Sequence, residues 1–304
     1  MKVADLFAGA GGFSTGAALA GADVVYAANH WRFAVETHSR QHPGAVHACQ
    51  DLRQADWRDL PAFEVLLAAP CCQGHSMAAQ PKRAGVTAHH DALRATAWAV
   101  VDCIESTRPR AAVVENVPQF LRWELYPVWL MALQRLGYHV RAHTIDARSF
   151  GVAQRRKRVF ITITREHFEL NVPKAEPVPF DPCIDWTAGK WRAIHSARPG
   201  ARARLELARD RHGGRALSQH VTGHKGIDPR TASIRTVTCQ DQWCVVQGDA
   251  YRPLTIRETE WAMGFETPMV WPEGTRRKDA ITALGNAVCP PVAQNIVAQL
   301  AAVV

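Results

Sequence analysis

The stretch Val3-Ala4-Asp5-Leu6-Phe7-Ala8-Gly9-Ala10-Gly11-Gly12-Phe13-Ser14 decides the fold. Val3 to Phe7 reads as a short buried strand, the glycines as a turn, and Phe13 to Ala20 as a helix. Glycine lets the backbone approach a ligand closely, and a helix N-terminus offers free N–H groups. The alternative is a plain tight turn, but three glycines in four positions directly after a strand favour a cofactor loop. The spacing of Gly9, Gly11 and Gly12 is not the Gly-x-Gly-x-x-Gly of a dinucleotide site.

Working outward, the same alternation continues. Asp23 to Ala28, Val65 to Ala69, Ala111 to Val114 and Val159 to Ile163 are short apolar runs expected to form buried strands. Phe33 to Gln41, Ala92 to Thr107 and Val128 to Leu136 carry helical patterns between them. Such alternation predicts an α/β fold, a doubly wound and mostly parallel sheet. Ligands in such sheets bind beyond the carboxyl ends of the strands. The pattern breaks after Arg165, and residues 169–250 are rich in Pro, Gly, Arg and His. A first domain over 1–168 and a second, smaller one over 169–250 are therefore expected. Helical patterning returns in 251–304, and Pro291 to Val304 is apolar and amphipathic, as for a segment that packs back onto the first domain.

Composition sets the setting. The 304 residues are 47% hydrophobic and 21% charged, an ordinary globular balance. No apolar run is long enough for a membrane span, and the N-terminus does not read as a signal peptide, so a cytoplasmic protein with no membrane partner is expected. The eight cysteines include no Cys-x-x-Cys pair, and Cys71 and Cys72 are adjacent. This speaks against zinc, against a disulfide framework and for free thiols, with no metal expected. The net charge of +8 favours a phosphate-bearing partner. Between Trp186 and Lys225 nine Lys or Arg face two acids, either a solvated basic helix face or a nucleic-acid surface.

Three further segments carry chemistry. Pro70-Cys71-Cys72-Gln73-Gly74-His75-Ser76 puts thiols at a strand end, where Gln, Gly, His and Ser do not continue a core. Glu115-Asn116-Val117 puts a carboxylate at the end of a central strand. A strand-end cysteine with such a carboxylate suggests a nucleophile and a general acid; a salt-bridged or capping acid is the bland alternative. In Gln154-Arg155-Arg156-Lys157-Arg158, strand alternation puts Gln154, Arg156 and Arg158 on one face, where phosphate or base contacts are expected.

In order and spacing these segments resemble the C5-cytosine-specific DNA methyltransferases, as do Arg252 to Glu258 with Gly264-Phe265, Gly285-Asn286-Ala287-Val288 with Pro290, and Thr236-Val237-Thr238. The resemblance covers the whole chain and implies a class I, Rossmann-like catalytic and cofactor-binding domain, a target recognition domain over 169–250 and a C-terminal segment that rejoins the catalytic domain. It implies S-adenosylmethionine as cofactor, with S-adenosylhomocysteine as product. Phe7, Ala8, Gly9, Ala10 and Gly12 would line the cofactor, with His30 at the ribose, Trp31 on the adenine, Asp51 at the adenine amino group, and Asn286 and Ala287 closing the site.

It further implies that the Cys72 thiolate adds to C6 of a cytosine flipped out of duplex DNA. Glu115 would hold N3 and the amino group, Arg158 would contact O2, and Arg156 would brace the site. Gln73, Ser76, Gln154, Arg202, Arg204 and Thr238 are the expected DNA contacts. A monomer acting in DNA methylation of the restriction-modification type, or a solitary or phage-borne enzyme, is expected. The chain departs from the family at Cys71, where proline is usual, at His30, where an acid is usual, and at His75. The register of Gln73-Gly74 favours Cys72 over Cys71. An RNA cytosine methyltransferase is the first rival reading, but Thr238-Cys239-Gln240 stands where Cys-Phe-Thr would be expected. A catalytically impaired DNA-binding relative is the second.

Overall fold

A computed structural model describes residues 1–71, 96–221 and 223–304. The chain forms two compact units: one of Met1–Asp146, Lys157–Pro173 and Ala287–Val304, the other of Ala147–Arg156 and Lys174–Asn286. In the first unit lie β1 (Lys2–Leu6), α1 (Gly12–Leu19), β2 (Asp23–Asn29), α2 (Arg32–Gln41), β3 (Val46–Cys49), β4 (Val65–Ala68), α3 (Thr96–Thr107), β5 (Ala111–Asn116), α4 (Tyr126–Arg135) and β6 (His139–Asp146). The short β7 (Gln154–Arg155) belongs to the second unit, and β8 (Lys157–Thr164) returns to the first.

The first unit is built on a seven-stranded sheet of order β3-β2-β1-β4-β5-β8-β6. Only β8 runs against its neighbours; the remaining pairings within β3-β2-β1-β4-β5 are parallel. β4 and β5 are buried along their whole length, which is why they read as unbroken apolar runs. β3 and β6 are the sheet edges and carry exposed residues, so their sequences Val-His-Ala-Cys and His-Val-Arg-Ala-His-Thr-Ile-Asp gave no apolar signal. The chain winds from β1 outward to β3 and then crosses back to β4 on the other side of β1. The carboxyl ends of β1 and β4 therefore flank the switch point at which doubly wound sheets bind ligands.

The second unit contains β9 (Arg192–Ala193), α5 (Pro199–Arg211), β10 (Arg215–Gln219), β11 (Ile234–Arg235), β12 (Trp243–Gln247), β13 (Ala250–Pro253), α6 (Ile256–Met263) and α7 (Arg277–Asn286). An antiparallel sheet of order β10-β12-β13-β9 carries α5 over a small core of Leu205, Ala208, Ala216, Cys244 and Val246. The short strand β11 pairs with β7 in parallel. The boundaries differ from those expected from composition: residues 147–156 and 251–286 pack with the second unit. The buried Arg252–Glu258 pair ties 251–258 to Asp185, contacts between residues far apart in sequence that composition does not reveal.

The last helix, α8 (Pro290–Leu300), packs on α1 within the first unit, as its amphipathic pattern predicts. Gly12 and Gly16, one turn apart, make the close approach possible. A Cβ on Gly12 would lie 2.1 Å from the Val288 carbonyl oxygen, and one on Gly16 2.4 Å from the Ala293 Cβ and 2.5 Å from the Pro290 carbonyl oxygen. Both clashes involve backbone or short side chains that cannot swing away. Gly16→Ala is therefore expected to lower stability by about 1–3 kcal/mol, an overpacking cost. A urea midpoint unchanged from wild type would show that α8 can shift freely.

Candidate active site

The candidate site residues of the first unit lie at or just beyond the carboxyl ends of β1, β2, β3, β4 and β5 and at the start of the antiparallel β8. The loop after β1 is shaped by left-handed backbone at Gly9 (φ 58°) and Gly11 (φ 92°), which glycine adopts at no steric cost. Phe7 is also left-handed (φ 59°), a conformation that costs free energy in a side-chain-bearing residue and persists only where its surroundings enforce it. Here the Ala8 N–H donates to the Ala28 carbonyl at 3.1 Å and the Gly11 N–H to the Ala8 carbonyl at 3.0 Å, pinning the loop between β1 and β2. Phe7 and Gly9 remain partly exposed, whereas Ala8, Ala10 and Gly12 are buried. Gly12 is filled from behind by the Val288 backbone, so its role is close packing as much as any contact with a ligand.

At the end of β2 the Asn29 side-chain oxygen accepts from the Trp31 N–H at 2.9 Å, which sets the start of α2 and leaves His30 exposed. Trp31 is half-buried, its ring 5.1 Å from that of Phe33. Asp51, just beyond β3, caps a short 3-10 turn by accepting from the Arg53 N–H and is held by the Arg53 guanidinium at 2.6 Å. Arg53, and more weakly His30, hold its carboxyl down at about 2. It is an ionised acceptor throughout the physiological range.

Beyond β4 the chain reaches Pro70 and Cys71. Cys72, Gln73, His75 and Ser76 lie outside the described residues. The approach to them is fixed from two sides. The Cys71 N–H donates to the Thr96 hydroxyl at 3.1 Å, and the Asn116 amide donates to the Pro70 carbonyl at 3.1 Å. Asn116 is fully buried, and its oxygen accepts from the Val117 N–H at 2.9 Å. Sequence reasoning quoted Asn116 but gave it no role; a buried amide at a strand end was the available signal.

Glu115, at the end of β5, meets Arg158 of the adjacent β8, Arg158 Nε lying 3.2 Å from Glu115 Oε1. Because β8 runs antiparallel, its start lies at the edge where β5 ends, so chain direction alone brings the two together. Both are largely shielded from solvent, and the Arg158 guanidinium also donates to the Lys157 carbonyl at 2.8 Å.

The other members of the basic run serve the second unit. Exposure alternates as expected, with Gln154 and Arg156 buried and Arg155 and Lys157 exposed. Gln154, expected at DNA, is engaged by the second unit's own backbone. Its amide nitrogen donates to the Ala262 carbonyl at 2.8 Å and its oxygen accepts from the Val237 N–H at 2.7 Å. Arg156 donates to the carbonyls of Val237 and Gly285, both at 2.9 Å. The two side chains grip the Val237 backbone from both sides. The grip holds Thr238, which is exposed, and the buried Gly285 backs onto residues 238–239 without room for a Cβ. Asn286 accepts from the Cys239 thiol at 3.0 Å, and Ala287 is buried.

On α5, Arg202 is exposed and donates to the His195 carbonyl, while Arg204 is half-buried. Arg209 is tied to Asp210 and Asp249, and Arg215 lies over the Trp186 ring at 4.7 Å. Part of the basic excess is thus neutralised internally, leaving Arg192, Arg198, Arg202, Arg211 and Arg215 as the exposed arginines of this region without a carboxylate partner among the described residues.

Among the described residues no group of three metal-ligating side chains occurs, and no described helix is long and apolar enough to cross a membrane. The family model of the C-5 cytosine-specific DNA methylases matches residues 1–182 and 192–302. The type II methyltransferase M.NlaX of Neisseria lactamica is 27% identical over 312 residues, spanning 99% of this chain and 96% of that protein. M.AgeI of Thalassovita gelatinovora is 32% identical over 172 residues, 53% of this chain but 39% of that longer protein. A prophage-encoded E. coli protein described as a DNA modification methyltransferase shares the fold with a TM-score of 0.72 at 18% identity, over 99% of each chain.

Proposed function

The chain belongs to the C-5 cytosine-specific DNA methylase family and is a DNA cytosine-5 methyltransferase, and we propose that it methylates a flipped-out cytosine of duplex DNA through a covalent bond to Cys72. The observation that carries this reading is the Glu115–Arg158 pair at the carboxyl end of β5, next to β4, whose carboxyl end leads to Pro70 and Cys71.

The family implies S-adenosylmethionine, and the donor set of the first unit fits it. The glycine-shaped loop leaves Phe7 and Gly9 open to a ligand, Trp31 offers an aromatic face, and ionised Asp51 can accept from an exocyclic amino group. His30 stands where the family has a ribose-binding acid and offers an imidazole in place of a carboxylate. When bound, the cofactor supplies an electrophilic methyl group on a sulfonium.

The residues of the chain prepare cytosine C5 to accept it. Glu115 holds N3 and the exocyclic amino group, and Arg158 donates to O2. The Cys72 sulfur adds to C6, the ring gains electron density at C5, and Glu115 stabilises the proton at N3 as that charge develops. After methylation a base supplied by solvent takes the C5 proton, the C5–H electron pair forms the C5–C6 double bond, and the Cys72 sulfur leaves C6 as a thiolate, which restores aromaticity. Asn116 and Thr96 fix the main chain at Pro70 and Cys71, and Gln154 and Arg156 fix the Val237 backbone next to Thr238, which would meet DNA. The exposed arginines around α5, Arg202 among them, supply phosphate contacts.

The test uses both adjacent thiols. Cys72→Ser abolishes methylation read by bisulfite sequencing, Cys71→Ser retains it, and DNA containing 5-fluorocytosine is trapped on the Cys72 peptide. An adduct on Cys71 overturns the assignment, and no adduct on either thiol overturns the covalent route.

A further inference from the structure

Behind the cofactor loop lies a polar chain that the reaction does not use. Asp5 of β1 is fully buried, and its Oδ2 accepts from the Ser14 hydroxyl at 2.7 Å. Ser14 Oγ lies 2.9 Å from His38 Nε2, and His38 Nδ1 lies 2.8 Å from His47 Nε2. Asp5, Ser14 and His38 are closed to solvent, while His47, on the edge strand β3, is half-exposed. The chain thus leads from solvent to a buried carboxyl in four members. It lies directly against the loop: a Cβ on Gly11 would come within 3.2 Å of the His38 ring and 3.3 Å of the His42 ring.

We propose that His47, His38 and Ser14 form a relay through which Asp5 exchanges its proton with solvent, so that pH sets the charge beneath the glycine-rich loop and thereby its preference for a cationic over a neutral sulfur ligand. The preference for such ligands rests on the methyltransferase reading above; the relay itself does not.

Each member can donate in either direction. With Asp5 neutral, Asp5 donates to Ser14, Ser14 to His38 Nε2 and His38 Nδ1–H to His47 Nε2. The other His47 nitrogen then carries a proton, which half-exposed His47 can pass to water. With Asp5 ionised, every bond reverses: His47 Nε2–H donates to His38 Nδ1, His38 Nε2–H to Ser14, and Ser14 to the carboxylate. Passage from one state to the other moves one proton between Asp5 and water and leaves no charge on either imidazole.

The surroundings favour this neutral route. Burial pushes the Asp5 carboxyl up to about 7, against the hydrogen bonds from Ser14. Burial, together with the nearby His42 and His47 rings, holds His38 well below the ordinary imidazole range, and burial brings His42 down to about 4. The ionisable groups facing the chain are therefore Asp5 from β1, His38 and His42 from α2 and its C-cap, and His47 from β3; α1 contributes the Ser14 and Thr15 hydroxyls, the latter 3.2 Å from His42 Nε2. As pH rises through about 7, Asp5 gains its charge and the histidines change tautomer rather than charge.

Nitrogen-15 NMR of histidine in the ligand-free protein reads the relay directly. From about pH 5.5 to about pH 8.5, His38 is expected to switch from the Nδ1–H to the Nε2–H tautomer, and Asp5→Asn or Ser14→Ala to abolish the switch. A His38 that keeps one tautomer throughout, or that becomes an imidazolium, overturns the relay. Calorimetry then compares S-adenosylmethionine, a cation at sulfur, with neutral S-adenosylhomocysteine. The ratio of their affinities is expected to move toward the cation by about tenfold across the same range in wild type and to stay flat in Asp5→Asn. A ratio equally flat in wild type overturns the ligand preference. Failure of both nucleosides to bind would instead overturn the cofactor assignment, with the tautomer result standing apart. Should Asp5→Asn fail to fold, His47→Gln cuts the same chain at its solvent end and serves as the second variant.

Discussion

Replacing Arg252 with alanine is expected to cost the second unit about 3–5 kcal/mol, the usual penalty for leaving one partner of a buried ion pair alone. Arg252 and Glu258 are both closed to solvent, and the guanidinium meets the carboxylate through two hydrogen bonds of 2.7 Å. Glu258 is not spare when its partner leaves. Its oxygens also accept from the Thr255 N–H at 2.6 Å, completing a capping box at the start of α6, and from the Asp185 N–H at 2.9 Å. Arg252 in turn donates to the Asp185 carbonyl at 2.6 Å and lies against the Trp191 ring. One pair therefore joins β13, α6 and the connection through Asp185. The alanine variant leaves an uncompensated carboxylate and a void beside Gly189, whose missing Cβ makes room for the arginine stem. Urea denaturation measures the loss, and the double variant Arg252→Met with Glu258→Gln is expected to recover part of it, because no buried charge is then left unpaired. If Arg252→Ala unfolds within about 1 kcal/mol of wild type, the pair is not what holds these segments together.

This pair shows where sequence reading stops. Arg252 and Glu258 were legible as part of an ordered block that resembles a family, yet nothing in the spacing says that the block is structural. Its meaning depends on Asp185, sixty-seven residues away from Arg252, and on burial that only the folded chain defines. The central strands β1, β4 and β5 were legible because burial on both faces demands continuous apolar runs. The edge strands β3 and β6 were not, because an edge can carry histidine and arginine without cost. Gln154 and Arg156 share a face, as alternation implies, but a basic run looks like a surface that meets phosphate, and hydrogen bonding to the Val237 and Gly285 carbonyls is invisible without the fold. Asp5 and His38 belong to the same class. Each lies in a recognisable helix or strand, but their chain through Ser14 joins three elements.

Glu115→Gln is expected to lower the rate of methyl transfer by about 10³-fold, the scale of losing an acid–base group and its charge from a preorganised site. The substitution keeps size and shape, so it separates chemistry from packing. Glu115 is buried at the end of β5, and the amide can still accept from Arg158 across the 3.2 Å gap, though without the ionic attraction. Stability is accordingly expected to change little, since Arg158 keeps its hydrogen bond to the Lys157 carbonyl and some exposure to water. What the amide cannot do is stabilise a proton at N3 of the base. A nitrogen donor there would face the protonated ring, and addition of the Cys72 sulfur to C6 would lose its electron sink. The rate of adduct formation with 5-fluorocytosine DNA should therefore fall in step with turnover, while affinity for the cofactor stays at the wild-type value. Arg158→Lys is the companion variant: it keeps the charge opposite Glu115 but cannot reproduce the planar guanidinium, and an intermediate loss is expected. Were Glu115→Gln to form the covalent adduct at the wild-type rate and fail only later, Glu115 would act on the release of the C5 proton rather than on the attack, and its assignment to N3 would have to be given up.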